Sequence, residues 1–304
     1  MIRDITPTPI VFTSGGDVVA GRVYRQAEKN TERQPAVVIA GSWLTIKEQM
    51  ATRYAEALAR RGYTAITFDF TGWGQSGGEL RHAEVPSRKI ADIRAAAEYV
   101  STLSFVRPGE LGYLGICAGA QYGAAAIATG AAITSFASVA GWFHDTPSVA
   151  PFYGGDDGVQ LRLTRGQQAL DRYQRTGEVI TVPAYAPGDE RAGMFIELDY
   201  YGDPGRGAVP EWANEMAELS WLPWLGFDGM AQAARVSVPT LFVHGDGCVF
   251  PDNIQRLRDE LAGPVEMVWG DGGQIDFYDQ PAQVDFAVEA VGVHFSTTLA
   301  QARR

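Results

Sequence analysis

Short apolar runs alternate with amphipathic stretches along most of this chain. Residues 9–12 and 18–24 flank Gly15-Gly16-Asp17 and predict an opening hairpin. The uninterrupted run Pro35-Ala-Val-Val-Ile-Ala40 predicts a buried strand, and spaced apolar residues over about 47–61 predict an amphipathic helix. The rhythm continues with a strand at 64–69, a helix at about 87–103, a strand at about 111–117, a helix rich in small residues, and a strand at 133–142. It resumes at 240–243 (strand), 251–261 (helix), 265–269 (strand) and 281 to about 300 (helix). Strands alternating with helices in this way predict an α/β protein with a mostly parallel, doubly wound sheet.

The stretch 143–227 breaks the alternation. Its turn-rich pieces are Tyr153-Gly-Gly-Asp-Asp157, Pro187-Gly-Asp-Glu190 and Tyr200-Tyr-Gly-Asp-Pro-Gly-Arg206, followed by Trp212, Trp221 and Trp224. Helix-like patterns run over about 159–176 and 210–219. The expectation is one core, 1–142 with 228–304, and a helical or irregular cap insertion, 143–227. No internal repeat or low-complexity tract divides the chain further.

Bulk properties narrow the field. At 304 residues, roughly three quarters of the unfolded chain's surface can be buried, so neither metal nor disulfide is needed as a staple. The formal charge of −11, with no basic stripe, argues against a nucleic-acid partner. No run of 18 apolar residues suggests a membrane span, and Met1-Ile-Arg-Asp-Ile-Thr-Pro lacks a signal peptide's apolar core. With only two cysteines, a cytoplasmic location is expected. Cys117 and Cys248 fall at the ends of strands with another strand between them. At ~4.8 Å per strand they lie beyond bridging reach unless their loops converge.

Candidate chemistry centres on Gly112-Tyr-Leu-Gly-Ile-Cys-Ala-Gly-Ala-Gln121, an apolar strand running through Gly115-Ile116-Cys117-Ala118-Gly119 into a helix. This is the G-x-S-x-G nucleophile elbow with sulfur in place of oxygen. Two further motifs occur in order: Asp69-Phe-Thr-Gly-Trp-Gly-Gln-Ser-Gly-Gly78 and His244-Gly245-Asp246. Together they resemble the α/β-hydrolase superfamily over nearly the whole chain, and the G-x-C-x-G elbow looks like its dienelactone hydrolase-like branch. The resemblance implies the α/β-hydrolase fold, an acyl or carbonyl substrate and a Cys–Asp–His triad. Two positions depart from it. Cys248 stands near the usual aspartate, with Asp246 early, and Gln274 takes the histidine's place in Gly273-Gln274-Ile275-Asp276-Phe277-Tyr278-Asp279.

An exposed elbow thiol beside a helix N-terminus is a candidate nucleophile, because backbone N–H groups and the helix dipole lower a thiol pKa. The alternative for Cys117 is a small buried residue of a dead site. The N–H of Ala118 and one from Gly41-Ser42-Trp43-Leu44, at Trp43 or Ser42, would form the oxyanion hole. Four histidines compete for the vacant base. His294 falls in the last helix, His82 after a Gly-rich loop and His244 in a turn. His144 ends the strand expected beside the elbow strand, where ligands of parallel sheets bind, and Asp145 could orient it. A histidine there also serves as an ordinary hydrogen-bonded anchor. Gln274 and Asp276 are candidate substrate contacts, Asp246 a displaced acid, and Asp69 and Ser76 loop formers.

The expected function is attack by Cys117 on an ester, lactone or thioester carbonyl with His144 as base. The alternatives are a lyase, cyclase or isomerase using the same pocket, or an inactive small-molecule-binding protein. No cofactor and no metal are expected, since no His/Cys/carboxylate spacing suits one. The candidate partners are a small acyl or carbonyl molecule and, as a homodimer, a second copy of the chain.

Overall fold

A computed structural model describes residues 5–29 and 31–302. Met1-Ile-Arg-Asp4, which opens the stretch read for a leader, lies outside them. The strands of the main sheet are β1 (Ile5–Ser14), β2 (Asp17–Gln26), β3 (Gln34–Ala40), β4 (Thr64–Phe68), β5 (Val106–Ile116) and β6 (Ser135–Val139). After two short strands, β7 (Thr181–Pro183) and β8 (Glu215–Ala217), it is completed by β9 (Thr240–His244) and β10 (Val265–Trp269). The sheet order is β1-β2-β4-β3-β5-β6-β9-β10. β1 and β2 form the antiparallel hairpin, β2 lies antiparallel to β4, and the remaining pairs are parallel.

Val37, Val38 and Ile39 of β3 are fully buried, as are Tyr113 and Leu114 of β5. A strand covered on both faces needs an unbroken apolar run, which is why these segments read so clearly. The covering helices are α1 (Met50–Arg60), α2 (Pro86–Thr102) and α3 (Ala118–Ala128) before β6. After it come α4 (Thr146–Val149), α5 (Gly155–Thr176), α6 (Asp199–Gly202), α7 (Trp221–Leu225), α8 (Pro251–Glu260), α9 (Asp276–Asp279) and α10 (Pro281–Gln301). No helix among the described residues is long and apolar enough to cross a membrane.

From β3 the chain crosses to β4 on one side of the sheet, and β5 returns to β3's other side. The crevice beyond the carboxyl ends of β3 and β5 is therefore a topological switch point, where open α/β sheets place ligands. Between β6 and β9 the chain leaves the sheet as α4 to α7 with the β7–β8 ribbon. The helix expected over 159–176 is present as α5. The one expected over 210–219 is not: Val182 pairs with Met216 in the ribbon, and Ala217 N donates to His82 O at 2.8 Å. Tertiary pairing overrides the local pattern there. Cys117 and Cys248 are both free thiols, with β6 standing between their strands.

Candidate active site

β5 delivers Cys117 to α3 through a backbone that non-glycine residues rarely adopt, φ 53° and ψ −124°. Strain of this kind persists only where the surroundings enforce it. A Cβ on Gly115 would sit 2.4 Å from Ala120 Cα, and one on Gly119 would sit 2.6 Å from the carbonyl oxygens of Ala40 and Gly41. Both glycines of the motif are thus sterically required. Two hydrogen bonds fix the turn, Cys117 N to Val139 O at 3.1 Å and Trp142 N to Cys117 O at 3.0 Å. The thiol is 3% exposed. Burial pushes its pKa up, opposed by hydrogen bonds from the Ser42 and Tyr278 hydroxyls and from the backbone N–H groups of Ala118 and Trp43.

The Trp43 N–H is aimed by a loop under tension. Leu44 has φ 58° with its side chain fully buried. Its carbonyl accepts from Trp212 Nε1 at 2.8 Å and its N–H faces Glu84 Oε2 at 3.4 Å. Glu84 is itself buried and accepts from Lys89 Nζ at 2.7 Å and Tyr122 Oη at 2.5 Å. Lys89 is compensated by that carboxylate and by the faces of Phe70 and Trp73, 4.6 and 5.2 Å away. A closed ion pair beneath the loop keeps Trp43 in register with Ala118.

Cys117 opens onto a cavity of about 360 Å³. The walls are largely apolar, with Trp142 and Val249 from the core side and Phe152, Met194, Phe195 and Leu198 from the segment between β6 and β9. Glu197 is the charged residue lining it, and it is exposed. One face is polar. Tyr278 Oη and Ser42 Oγ lie 3.3 Å apart, and Tyr201 Oη donates to Ser42 Oγ at 3.0 Å. Gln274 occupies the expected histidine position. Its Nε2 donates to Ala140 O at 2.8 Å and to Tyr278 Oη at 3.1 Å, while its Oε1 accepts from Val249 N at 3.1 Å. Gln274 thus donates into the Tyr278 oxygen, whose hydroxyl lines the cavity beside Ser42 and Cys117. Burial pushes the Tyr278 pKa well above 10.

His144 stands apart from this constellation and does not line the cavity. Its ring is fully buried, Nδ1 accepts from Trp142 Nε1 at 2.7 Å, and Nε2 faces Trp224 O at 3.1 Å. With Nδ1 held as acceptor and Nε2 as donor, the imidazole is neutral and has no nitrogen free for a thiol proton. Burial lowers its pKa to about 4. The expected base at His144 is therefore corrected to an anchor binding the β6 end to α7. Asp145, expected to orient it, instead caps α4: its Oδ1 accepts from Ser148 N at 3.0 Å, and Oδ2 pairs with Arg256 at 3.1 Å.

Asp276 also turns away, accepting from Gly273 N at 2.7 Å and shaping the bend before α9. Asp246 accepts from the exposed Trp269 Nε1 at 2.9 Å. His244 and His294 are buried supports, bonded to Val249 O and to Ser135 Oγ respectively, and His82 lies beside Glu215. Asp69 and Ser76 form the loop after β4: Asp69 accepts from Lys47 Nζ at 2.6 Å and Ser76 Oγ donates to Asp69 O at 2.6 Å. Tyr278 and Tyr201 are the residues that sequence reasoning passed over. Tyr278 had a signal, being one turn of helix beyond Gln274. Tyr201 sits in an irregular stretch whose packing no periodicity reports.

Sheet order, elbow and switch-point cavity together define the α/β-hydrolase fold, which solved α/β-hydrolases share. Residues 15–174 match the model of the X-Pro dipeptidyl-peptidase (S15) family, and the chain belongs to that family. The uncharacterized protein YcjY of Escherichia coli is 35% identical over 88% of this chain and 90% of its own length. The uncharacterized protein PA2218 of Pseudomonas aeruginosa is 27% identical over 89% of this chain and 75% of its own. The solved structure of PA2218 superposes with a TM-score of 0.84, covering 97% of this chain and 94% of that one. An acyltransferase of Aspergillus calidoustus, drtE, is 25% identical over 83% of this chain and 81% of its own. The chain is thus a hydrolase-type enzyme of the α/β-hydrolase superfamily.

Proposed function

We propose that the protein performs covalent acyl chemistry, with Cys117 attacking the carbonyl carbon of an ester, lactone or thioester. The observation that carries this reading is a strained elbow cysteine that lines a largely apolar cavity beside Ser42, Trp43 and Tyr278. When substrate enters, its carbonyl oxygen takes over the N–H groups of Ala118 and Trp43, which stabilise the charge that develops there. As the Sγ–C bond forms, the carbonyl π pair moves to oxygen and the thiol proton goes to the departing group. Collapse of the tetrahedral intermediate expels the leaving group and leaves a thioester on Cys117.

The segment between β6 and β9 acts here as a cap whose apolar side chains hold the acyl part. The drtE relative, named an acyltransferase, supports acyl chemistry over a non-covalent lyase or isomerase route. To test it, the protein is incubated with the N-acetylcysteamine thioester of benzoic acid and its intact mass recorded. A benzoyl adduct that Cys117→Ala abolishes is expected. Turnover that survives Cys117→Ala, or inertness toward a panel of thioesters, esters and lactones, would overturn the proposal.

A further inference from the structure

Resting on that reading, we infer that the acyl group passes from one thiol to another: a thioester bearing a neutral, apolar acyl part is the donor, and a second thiol, not water, is the acceptor. The inference comes from what faces the sulfur. Among the described residues lining the cavity, the titratable groups are Cys117, Tyr153, Tyr201, Tyr278 and the exposed Glu197, with no imidazole. Gln274 cannot take a proton, and its amide is committed to Ala140, Val249 and Tyr278. Tyr278 and Tyr201 relay protons between neighbours but are poor acids and poor bases, because burial disfavours their charged forms.

A hydroxyl relay of this kind restricts both the group that leaves and the group that enters. An alkoxide, whose parent alcohol resembles water with a pKa of about 15.7, needs a proton from a competent acid as it departs. A thiolate, with a parent pKa of about 8.5, leaves without one. By microscopic reversibility the acceptor obeys the same restriction. Water must be deprotonated by a base, whereas a free thiol already carries a few per cent thiolate near neutral pH. The two halves are mirror images. In the first, Sγ–C forms, the donor's C–S bond breaks, and the Cys117 proton ends on the departing sulfur. In the second, the acceptor sulfur bonds to the carbonyl carbon, the Cys117 C–S bond breaks, and Sγ recovers the proton. No oxidant or reductant is involved.

The walls select the acyl part. No lysine or arginine lines the cavity among the described residues, and Trp142, Phe152, Phe195 and Leu198 surround the space beyond Sγ. An acyl chain carrying a carboxylate would be desolvated there without a partner.

The test supplies the N-acetylcysteamine thioester of benzoic acid with millimolar 2-mercaptoethanol and measures S-benzoyl mercaptoethanol and free benzoate separately, beside the intact mass. Exchange about a hundredfold above the Cys117→Ala background is expected, with benzoate released no faster than by that variant. Ethyl benzoate should label Cys117 far more slowly than the thioester. Catalysed benzoate release equal to or faster than exchange, with the adduct present, would overturn the thiol acceptor while leaving the covalent step standing. Absence of the adduct would overturn both.

Discussion

Removing the Tyr278 hydroxyl separates catalysis from stability, and the structure sets the size of each effect. In Tyr278→Phe the ring keeps its edge contacts with Tyr200 and Tyr201, at centroid distances of 5.2 and 6.3 Å. Gln274 Nε2 retains Ala140 O, and Ser42 Oγ retains Tyr201, so no buried polar atom is orphaned. The stability loss should be about 1 kcal/mol, that of one neutral hydrogen bond. Acylation loses more, because the hydroxyl stabilises the thiolate that a buried thiol must form before it attacks. A hydrogen bond to a charged group contributes about 1.5–3 kcal/mol, hence roughly a 10- to 150-fold slower acylation. The hydroxyl lowers the Cys117 pKa against the upward push of burial, so the variant's thiol should ionise at higher pH. Stopped-flow acylation by an activated thioester, together with the pH profile of alkylation by iodoacetamide, reads both effects. An acylation rate and an alkylation profile both unchanged in Tyr278→Phe would refute the role given to Tyr278.

Other perturbations address the remaining contacts. Gln274→His restores an imidazole beside Tyr278 and should shift the partition of the acyl-enzyme toward water, read as benzoate released per benzoyl transferred. His144→Gln should cost about 2–4 kcal/mol in urea unfolding while changing acylation by less than about threefold, the opposite of what loss of a catalytic base would do. The pH dependence follows from the same ring. Its folded pKa of about 4 lies below the unfolded value of 6.5, so the unfolded state binds more protons between them. Stability should therefore be fully present above pH 6.5 and fall as pH drops toward about 4. His244, also lowered to about 4 by burial, adds to the fall, and His144→Gln should make the slope shallower. Arg206 donates to both oxygens of Asp279, at 2.7 and 2.6 Å, tying the segment after α6 to α9. Arg206→Ala should cost about 1–3 kcal/mol and raise KM more than it lowers kcat, measured by urea unfolding and steady-state exchange.

The fold was legible because its signals are local. Ala36–Ala40 of β3 and Leu111–Ile116 of β5 are buried throughout and advertise themselves as runs without a polar residue. The elbow is legible for a steric reason: with Gly115 and Gly119 pressed to 2.4 and 2.6 Å of neighbouring backbone, the motif cannot be written otherwise. What stayed hidden depends on pairing between distant segments. Residues 210–219 carry a helical pattern, yet Met216 is drawn to Val182 and Trp212 to Leu44. His144 occupies the strand end where a ligand-binding residue belongs, and nothing local reveals that Trp142 and Trp224 take both its nitrogens. Proximity along the sheet was readable; the direction of a side chain was not.

Gln274 shows why the vacant histidine position is not a decayed one. A residue freed from function would be expected to lose its hydrogen bonds or withdraw to solvent. This amide instead joins three segments: the β6 end through Ala140 O, the loop after β9 through Val249 N, and α9 through Tyr278 Oη. Each bond also has a consequence at the sulfur. Ala140 lies between β6 and Trp142, whose N–H holds the Cys117 carbonyl, and Val249 lines the cavity. Donation to Tyr278 holds the phenol hydroxyl in place beside Ser42 and Cys117. An amide can do this without competing for the proton, whereas an imidazole in its place would take it. On the proposed reading, glutamine here replaces proton abstraction with positioning, which suits a reaction whose entering and leaving groups are both thiols.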